Sequence, residues 1–344
     1  MASIVLPNQL FQKPVQHEEK YLLEHPKYFT DKNFHKQKLV LHRASMKAYN
    51  GKIEASYIDF SSAEEKLEEI FEENEEIKMY DPVDHEIRDQ FEELAEKFST
   101  DLEFLDTPNF LASREWNENY FEDHEYYQLS YYKTMRERHD VLITDDGGPV
   151  GGKWSFDPEN RKKLPQDMET PEIPKFSTDH VEEAKAWVED NFSENPGNLE
   201  NFFWPTTRDQ ALKMLDDFLE NRMENFGDYQ DAFEKDLEFG FHSLISSSMN
   251  IGLLNPEEVV DRTLEAHEEK DYPMNSLEGF LRQIVGWREF IRAMYQLHDE
   301  MREENFWDID SEVPKEVYTG DTGLPPVDYA IQHAEDNAYC HHIE

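Results

Sequence analysis

One stretch, residues 275–295, constrains the fold of this chain more than any other. It reads NSLEGFLRQIVGWREFIRAMY, and its apolar residues recur at three- and four-residue steps at Phe280, Ile284, Trp287, Ile291 and Met294. This spacing places the five side chains on one stripe of an α-helix. Further apolar residues on the flanks make the helix apolar on most sides, which is typical of a buried helix.

The opposite face of this predicted helix is polar, with Arg282, Gly286 and Glu289 falling together on it. Buried arginine and glutamate side chains must be paired or bound to another polar group. A glycine inside a helix costs about 1 kcal/mol relative to alanine, so the sequence predicts that another group approaches the backbone closely at Gly286. Two interpretations stay open for the polar face, an ion-pair network between packed helices and the wall of a ligand site.

The charge of the chain is strongly one-sided. There are 77 acidic and 34 basic residues among 344, a formal net charge of -43 that is spread along the whole sequence. Such a surface repels itself at low ionic strength, whereas at about 1 M salt the Debye length falls to about 3 Å and the repulsion is screened. The sequence therefore predicts a halophilic protein from a high-salt cytoplasm, with an acidic protein of an ordinary cell as the alternative.

Cysteine usage and hydropathy exclude several classes of protein. The single cysteine, Cys340, excludes an intramolecular disulfide and a four-cysteine metal site built by this chain alone. No stretch approaches the roughly 18 apolar residues of a membrane span, and the first ten residues lack the basic start of a signal peptide. We therefore expect a cytoplasmic protein with no membrane partner.

The periodicity of the chain changes along its length. Short apolar runs at residues 3–8, 20–24, 53–60, 77–81 and 102–105 alternate with helical patterns at 34–49, 63–74 and 84–98, which predicts a Rossmann-like α/β domain with a parallel sheet over residues 1–140. Residues 141–177 form a connection rich in glycine and proline. From 178 to 344 the patterns are helical, at 181–191, 207–226, 229–238, 243–253, 256–267 and 275–295, which predicts an all-α domain.

Polar residues follow the first two predicted strands. Asn8, Gln9 and Leu10 follow the first strand and Glu24 follows the second, and ligands of such sheets lie at the carboxyl ends of the strands. No glycine-rich phosphate loop is present there, so dinucleotide binding in this domain is not supported. An ordinary polar loop is the alternative. Residues 30–49 form a basic island, which either contacts DNA phosphates or is a solvated helix face.

Several motifs together resemble a known family. They are EGFLRQIVGWREFIR, FHSLISSSMNIGLLNPEEV upstream of it, NAYCHHI downstream, and GGKWSFDPENR and FGDYQDAF. In order, they resemble the catalytic domain of the prokaryotic photolyase-related flavoproteins, the branch of the photolyase and cryptochrome superfamily that typically carries an iron–sulfur cluster. The resemblance implies light-driven, FAD-dependent repair of UV pyrimidine dimers in DNA, with (6-4) photoproducts favoured over cyclobutane dimers. A cryptochrome-like flavin light sensor and an inactive fragment, or half of a split photolyase, are the alternatives.

The resemblance also implies roles for individual residues. It places flavin contacts at Tyr229, Gln230, His242, Ser243, Leu244, Ser246, Arg282, Gln283 and Arg288, and a substrate contact at Trp287, whose ring can stack on an extruded base. Ordinary N-capping by a serine and ordinary core packing by the tryptophan are the alternatives. For the sheet domain it implies an antenna chromophore of ribolumazine type. The residues that would hold this chromophore are Asn8, Gln9, Leu10 and Glu24.

The motif NAYCHHIE implies the catalytic residues. In relatives that repair (6-4) photoproducts the paired histidines lie against the lesion, which assigns substrate binding and protonation to His341 and His342. Histidine suits this role because its charge changes near neutral pH. A metal site through His341 and Glu344 would have two ligands only, so no metal site is predicted.

The sequence departs from the family pattern in three places. It stops at Glu344, where relatives continue with helices that complete the flavin pocket, so we expect weak flavin binding and a complementary C-terminal fragment as partner. No iron–sulfur cluster is expected, because a cluster normally needs four cysteine thiolates and Cys340 lies outside the segment 319–331 in which the first is expected. Tyr318 stands where relatives often have a tryptophan of the electron relay.

Overall fold

The computed structural model describes residues 1–232, 234, 237–302, 304–340 and 342–344. Its strands are β1 (Ala2–Val5), β2 (Glu19–Leu23), β3 (Ser56–Ile58), β4 (Glu76–Tyr80) and β5 (Asp101–Leu105). They form one sheet in the order β3-β2-β1-β4-β5, and every neighbouring pair is parallel. Each strand overlaps its predicted range, so the predicted parallel sheet is confirmed.

The course of the chain through the sheet creates a crevice beside β1. From the central strand the chain moves outward to β2 and β3, and then crosses to the other side of β1 to add β4 and β5. Ile4 is in register with Tyr21 of β2, and Ser3 is in register with Lys78 of β4. The carboxyl ends of β1 and β4 therefore flank the point where the strand order reverses, which is where parallel sheets bind ligands.

Helices occupy most of the remaining described residues. They are α1 (Pro26–Phe29), α2 (Lys36–Ile53), α3 (Ala63–Glu73), α4 (His85–Phe98), α5 (Arg114–Glu122), α6 (Gln128–Arg138), α7 (Asp179–Asn191), α8 (Arg208–Asn221), α9 (Met223–Tyr229), α10 (Ser246–Asn250), α11 (Pro256–Lys270), α12 (Met274–Leu281), α13 (Glu289–Leu297), α14 (Lys315–Thr319) and α15 (Pro325–Asn337). A π-helical segment, Arg282–Arg288, joins α12 to α13. None of these helices is both long and apolar enough to cross a bilayer.

Three predicted helices differ from those observed. The helix predicted at 207–226 is broken at Arg222, whose side chain turns into the interior and donates from Nη1 to the carbonyl oxygen of His242 at 2.9 Å. The helix predicted at 229–238 is wrong for the described residues after Tyr229, which form turns and irregular structure, and residues 233, 235 and 236 lie outside the described residues. The helix predicted at 243–253 is reduced to α10, since Leu244 adopts a left-handed φ of 57° and a helix cannot pass through it.

Two apolar cores lie on the two faces of the sheet. One contains Ile4, Leu67 and Phe91 and is closed by α3 and α4. The other starts at α2 and continues through α7 and α8 into α12, so that it includes Leu39 and Leu281. Because α2 contributes to this second core, the helices after residue 178 are packed directly on the helix that covers the sheet.

The end of α15 is anchored to the start of α2. Gln37 donates from Nε2 to the carbonyl oxygen of Asp336 at 2.8 Å, and Trp204 donates from Nε1 to the carbonyl oxygen of Asn337 at 3.2 Å. Both donors are buried, as is Asn337. These bonds fix the position from which the NAYCHHIE motif leaves the helix.

Candidate functional site

A cavity of about 1110 Å³ lies at the crevice between the sheet and the helices. The sheet contributes Asn8, from the loop after β1, together with Pro82 and Asp84, from the loop after β4. The helices contribute α10, α12, the π-helical segment and α13. The cavity therefore lies where the strand order predicts a ligand, and the two halves of the chain both wall it.

The long helix from α12 to α13 presents its apolar stripe to this cavity. Phe280, Ile284, Trp287 and Ile291 line it, and the last two are 42% and 57% exposed. The expectation that this helix is buried on most sides is confirmed for α12, and in α13 Glu289 and Ala293 are buried as well, whereas the stripe at Trp287 and Ile291 is exposed. A stripe at helical spacing is equally compatible with a core and with a cavity wall, so periodicity alone could not separate the two.

The polar face of the same helix is the one that packs inside the protein. The carboxylate of Glu278 is fully buried and accepts hydrogen bonds from Tyr132 Oη at 3.0 Å, from the backbone N–H of Phe156 at 2.9 Å and from Arg282 Nε at 3.0 Å. Arg282 also lies 3.3 Å from Asp157. The first of the two interpretations of the polar face, an ion-pair network between packed helices, is therefore correct. Because Arg282 also lines the cavity, this network forms one of the cavity walls.

Gly286 allows α6 to approach the π-helical segment. A Cβ at this residue would lie 3.0 Å from Nε2 of Gln128 and 3.0 Å from Cδ2 of the buried Tyr132. The predicted close approach at Gly286 is therefore confirmed. π-Helical turns are rare and often occur at functional sites, and this one contains Trp287, which lines the cavity.

Glu289, one turn further on, holds the loop before α5 against α13. Its carboxylate is fully buried and accepts the backbone N–H groups of Leu111 at 2.9 Å and Ala112 at 3.1 Å. Burial raises its pKa to about 7, against the lowering effect of these two hydrogen bonds and of Arg288 and Arg292. The contact keeps this loop in place. It thereby also positions Phe110, the neighbour of Leu111, which lines the cavity.

The serine run contributes to the wall of the cavity. His242, Ser243 and Ser246 line the cavity, whereas Leu244 is buried in the core and does not. Ser243 is no N-cap, because α10 begins at Ser246 without a side-chain capping bond. His242 contacts the carbonyl oxygen of Gln230 through Nε2 at 2.9 Å.

Other predicted flavin contacts are split between cavity and core. Gln230, Gln283 and Arg288 line the cavity, but Tyr229 lies outside the lining and packs its ring against Phe241 with 5.7 Å between centroids. Nη2 of Arg282 and Nε of Arg288 and of Arg292 are buried without an acceptor among the described residues. A wall that offers unpartnered guanidinium donors beside an apolar stripe fits an anionic ligand that also carries a flat apolar group.

Of the paired histidines, His342 lies at the cavity and His341 lies outside the described residues. Nε2 of His342 is 3.0 Å from Oδ1 of Asp231, and its ring centroid is 5.8 Å from that of His242. Asp231 also lines the cavity. The sequence analysis missed this carboxylate, and the only signal was its place beside Gln230 in FGDYQDAF.

The residues predicted for an antenna do not converge on one site. Asn8 lines the main cavity, Gln9 donates to the carbonyl oxygens at the end of β4, and Leu10 donates its backbone N–H to the segment after α10 at 3.0 Å. Glu24 is fully buried, and its carboxylate accepts a hydrogen bond from Arg43 at 2.9 Å. Burial raises the pKa of Glu24, against the effect of its hydrogen bonds and of Arg43.

The basic island at residues 30–49 is engaged in contacts within the protein. Lys36 pairs with a carboxylate at 3.3 Å, Lys38 lies over an aromatic ring at 3.8 Å, and Arg43 is buried among acidic groups. His42 is buried, which lowers its pKa to about 3. These four side chains therefore form neither a free phosphate-binding face nor a solvated helix face.

Two basic residues of segment 141–177 pair with carboxylates closer to the cavity. Arg161 pairs at 3.0 Å with Asp157, which lines the cavity, and Lys162 pairs at 2.7 Å with Asp228, two residues before Gln230. Both basic side chains are more than half exposed. Arg161 is thus tied directly to a residue of the cavity lining, and Lys162 to a residue close to one.

The residue predicted for the electron relay lies away from the cavity. Tyr318 is 68% exposed on α14 and does not line the cavity. Across the described ranges, no group of three histidine, cysteine, aspartate or glutamate side chains is arranged to hold a metal ion.

Comparison with known proteins places the chain among photolyase relatives. A (6-4) photolyase of Agrobacterium fabrum is 34% identical over 267 residues, which are 77% of this chain and 52% of that protein. An uncharacterized protein of Acanthamoeba polyphaga mimivirus, R853, is 35% identical over 107 residues, which are 31% of this chain and 82% of that protein. The chain thus spans about half the length of the curated photolyase that it matches.

A solved structure and a family model complete the comparison. The crystal structure of a bacterial class III photolyase from Agrobacterium tumefaciens superposes with a TM-score of 0.63 at 17% identity, over 99% of this chain and 70% of that one. At this identity the superposition shows a shared fold. The model of the family described as deoxyribodipyrimidine photo-lyase-related protein matches residues 3–204, more than half of the sequence, and the chain therefore belongs to that family.

Proposed function

We propose that this chain carries out light-driven, flavin-dependent repair of UV-induced pyrimidine dimers in DNA, in the cytoplasm and on (6-4) photoproducts rather than cyclobutane dimers. The observation that carries the proposal is the position of His342, which lies at the cavity with Nε2 3.0 Å from Asp231. A histidine held by a carboxylate at the mouth of a large cavity is suited to deliver a proton to a bound lesion.

FAD is the cofactor that the cavity suits. Its diphosphate would be held by the unpartnered donors of Arg282 and Arg288 and by the hydroxyl groups of Ser243 and Ser246. Its ring system would lie on the apolar stripe at Ile284. When bound and reduced, FAD supplies the electron that is transferred on illumination.

The chain's own residues bind and orient the damaged DNA. Trp287 is 42% exposed on the cavity side, where its ring can stack on a base extruded from the duplex. Arg161 and Lys162 are exposed and can exchange their carboxylate partners for backbone phosphates. In a protein this acidic, such local positive charge sets the register of the DNA on the cavity.

His342 holds the proton that the lesion receives. Nε2–H donates to Asp231, which fixes the plane of the ring and leaves Nδ1 turned away from the carboxylate. In the cationic ring Nδ1 carries the proton that can be transferred, and the carboxylate stabilises that cation. We assign a second contact to the lesion to His341.

Activity requires a complementary helical segment. Ile291 and Tyr295 continue the apolar stripe beyond Trp287, and all three are exposed at 57%, 37% and 42%. A ring bound against one wall keeps much of its surface in water and loses apolar burial. The chain spans about half the length of the matched photolyase, and we propose that the missing wall comes from a further segment or from a partner chain.

The test compares the 344-residue chain with a form extended by the complementary segment. Flavin absorbance that remains with the protein through gel filtration measures cofactor binding, and blue-light repair of an oligonucleotide carrying one (6-4) photoproduct measures activity. We expect weak flavin retention by the short form and repair by the extended form that His342→Ala abolishes and His180→Ala, on the surface of α7, leaves intact. Flavin retention with photoreduction but no repair would instead support a light sensor.

A further inference from the structure

A second, smaller cavity lies between the sheet and the start of α8. It has a volume of about 290 Å³ and shares no lining residue with the main cavity. Its apolar floor includes the buried Leu10, Tyr49 and Leu253. Its polar rim comes from β2, from the second half of α2 and from the N-terminus of α8, so that it joins elements from both parts of the chain.

The rim of this cavity is basic in a strongly acidic protein. Lys20 of β2 and Lys52 of α2 line it, and neither forms an ion pair with a carboxylate of the described residues. Many other lysine and arginine side chains of the chain pair with acidic groups, which outnumber them 77 to 34. Arg208, on the same rim, is engaged by Glu258 and by the carbonyl oxygen of Leu253 at 3.0 Å. The two lysines thus place positive charge at the cavity without belonging to any of the ion pairs of the described residues.

A buried serine belongs to the wall of the same cavity. Ser45 is fully buried in the middle of α2 and lines the cavity, yet its Oγ has no hydrogen-bond partner among the described residues. A serine inside a helix commonly donates to the carbonyl oxygen four residues earlier, and Ser45 does not. A buried polar group without a partner is rare in a folded protein and indicates a missing acceptor.

The N-terminus of α8 provides further donors. Thr207 caps this 14-residue helix by accepting the N–H of Gln210 at 3.3 Å, and Gln210 in turn accepts the N–H of Thr206 at 2.9 Å. The amides of Arg208 and Asp209 have no acceptor within the described part of the chain. The first-turn amides and the dipole of a helix together favour an anion at this end.

We propose that this cavity is a binding site for a small oxyanion, either inorganic phosphate or the phosphate group of a nucleotide. The hydroxyl of Ser45 and the first amides of α8 donate hydrogen bonds to its oxygens, and Lys20 and Lys52 balance its charge. The volume of about 290 Å³ accommodates the phosphate. A bound anion would bridge β2 and α2 to α8. The site is independent of the proposed repair function.

The test is a titration of the full chain with inorganic phosphate at constant potassium chloride, followed by calorimetry and by the melting temperature. We expect saturable binding with a rise in melting temperature, and binding about tenfold weaker after Lys20→Gln with Lys52→Gln. Lys213→Gln, an exposed lysine on α8, is the matched control and should bind like the parent. AMP binding as tightly as phosphate identifies the free phosphate group as the determinant, whereas much tighter AMP binding identifies a nucleotide.

Ser45→Ala separates ligand binding from a merely structural role. Alanine removes the unsatisfied hydroxyl and favours the helix, so the variant should melt at or above the parent temperature without phosphate and should gain less from its addition. No saturable phosphate binding by the parent, or equal binding by the double lysine variant, would overturn the proposal and leave the lysines as simple surface charges.

Discussion

Nε2 of His342 and Oδ1 of Asp231 lie 3.0 Å apart, although 111 residues separate them in the sequence. The contact joins the end of the chain to the segment after α9. It depends on the anchoring of α15 by Gln37 and Trp204, because these bonds determine where the last residues begin.

Asp231→Asn should slow repair without releasing flavin. Asparagine keeps an oxygen that can accept the Nε2 proton but loses the charge that stabilises the imidazolium, so we expect the repair rate of the flavin-loaded protein to fall roughly tenfold. The measurement is the rate of (6-4) repair under saturating blue light. Glu234→Gln, an exposed carboxylate three residues away, should have no effect. A parent-like rate in Asp231→Asn would remove the carboxylate from the mechanism.

Gly286→Ala should destabilise the protein while Gly51→Ala stabilises it. A Cβ at Gly286 would meet Gln128 and the buried Tyr132 at 3.0 Å, and overpacking of this kind outweighs the gain in helix propensity, with a net cost of about 1 to 2 kcal/mol. At Gly51, exposed on α2, nothing lies within 4 Å and the propensity gain of about 1 kcal/mol remains. Chemical denaturation of both variants tests the contrast, and equal effects would contradict it.

Glu289 should make stability depend on pH between about 4.5 and 7. Its pKa is raised from 4.5 to about 7 in the folded protein, so over this window the folded state binds more protons than the unfolded state and the free energy of unfolding falls as pH rises. The expected loss is on the order of 3 kcal/mol. Because many other carboxylates titrate, the observable is the difference between the parent and Glu289→Gln across the window. A constant difference would show an unshifted carboxyl group.

Gln37→Ala should loosen the end of the chain. The side chain donates from Nε2 to the carbonyl oxygens of Asn198 at 3.1 Å and Asp336 at 2.8 Å. Because both acceptors are only half-buried, water can replace part of the lost bonding, and we expect a cost of about 1 kcal/mol. Limited proteolysis should cut after α15 sooner than in the parent. Gln332→Ala, which removes an exposed bond on the same helix, should be cut at the parent rate.

The melting temperature should rise steeply between about 0.1 M and 1 M monovalent salt. Over this range the Debye length falls from about 10 Å to about 3 Å, and a chain with a net charge of -43 gains most from such screening. Potassium chloride and sodium chloride should act alike at equal ionic strength. A flat curve would refute the prediction of a halophilic protein.

The sequence predicted the sheet and most helices because apolar periodicity reports local geometry directly. It did not predict the environment of Ile291, since a residue of an apolar stripe can face a core or a cavity with the same spacing. It also did not predict that α10 is short, because this depends on the left-handed backbone of Leu244.

The candidate site could be predicted in part. His342 and Ser243 were found through the resemblance of their motifs, and both line the cavity. Asp231 was missed because its partner is distant in sequence. Glu278 had a local signal that was not used, an acidic residue within an apolar run and four residues before an arginine, which is the spacing of a helical ion pair.

Because of the π-helical segment, the number of residues in the helix from α12 to α13 constrains the site independently of their types. Residues Arg282–Arg288 form a wider turn than an α-helix does, which lets Trp287 point to the cavity while Glu289 points to the interior. Deleting one residue here would restore a regular helix and rotate everything after it by about 100°. Ile291 would then turn inward and Arg292 outward, although no side chain had been substituted. Homologous chains that share this site should therefore tolerate exchanges of residue type between 282 and 288 more readily than gaps.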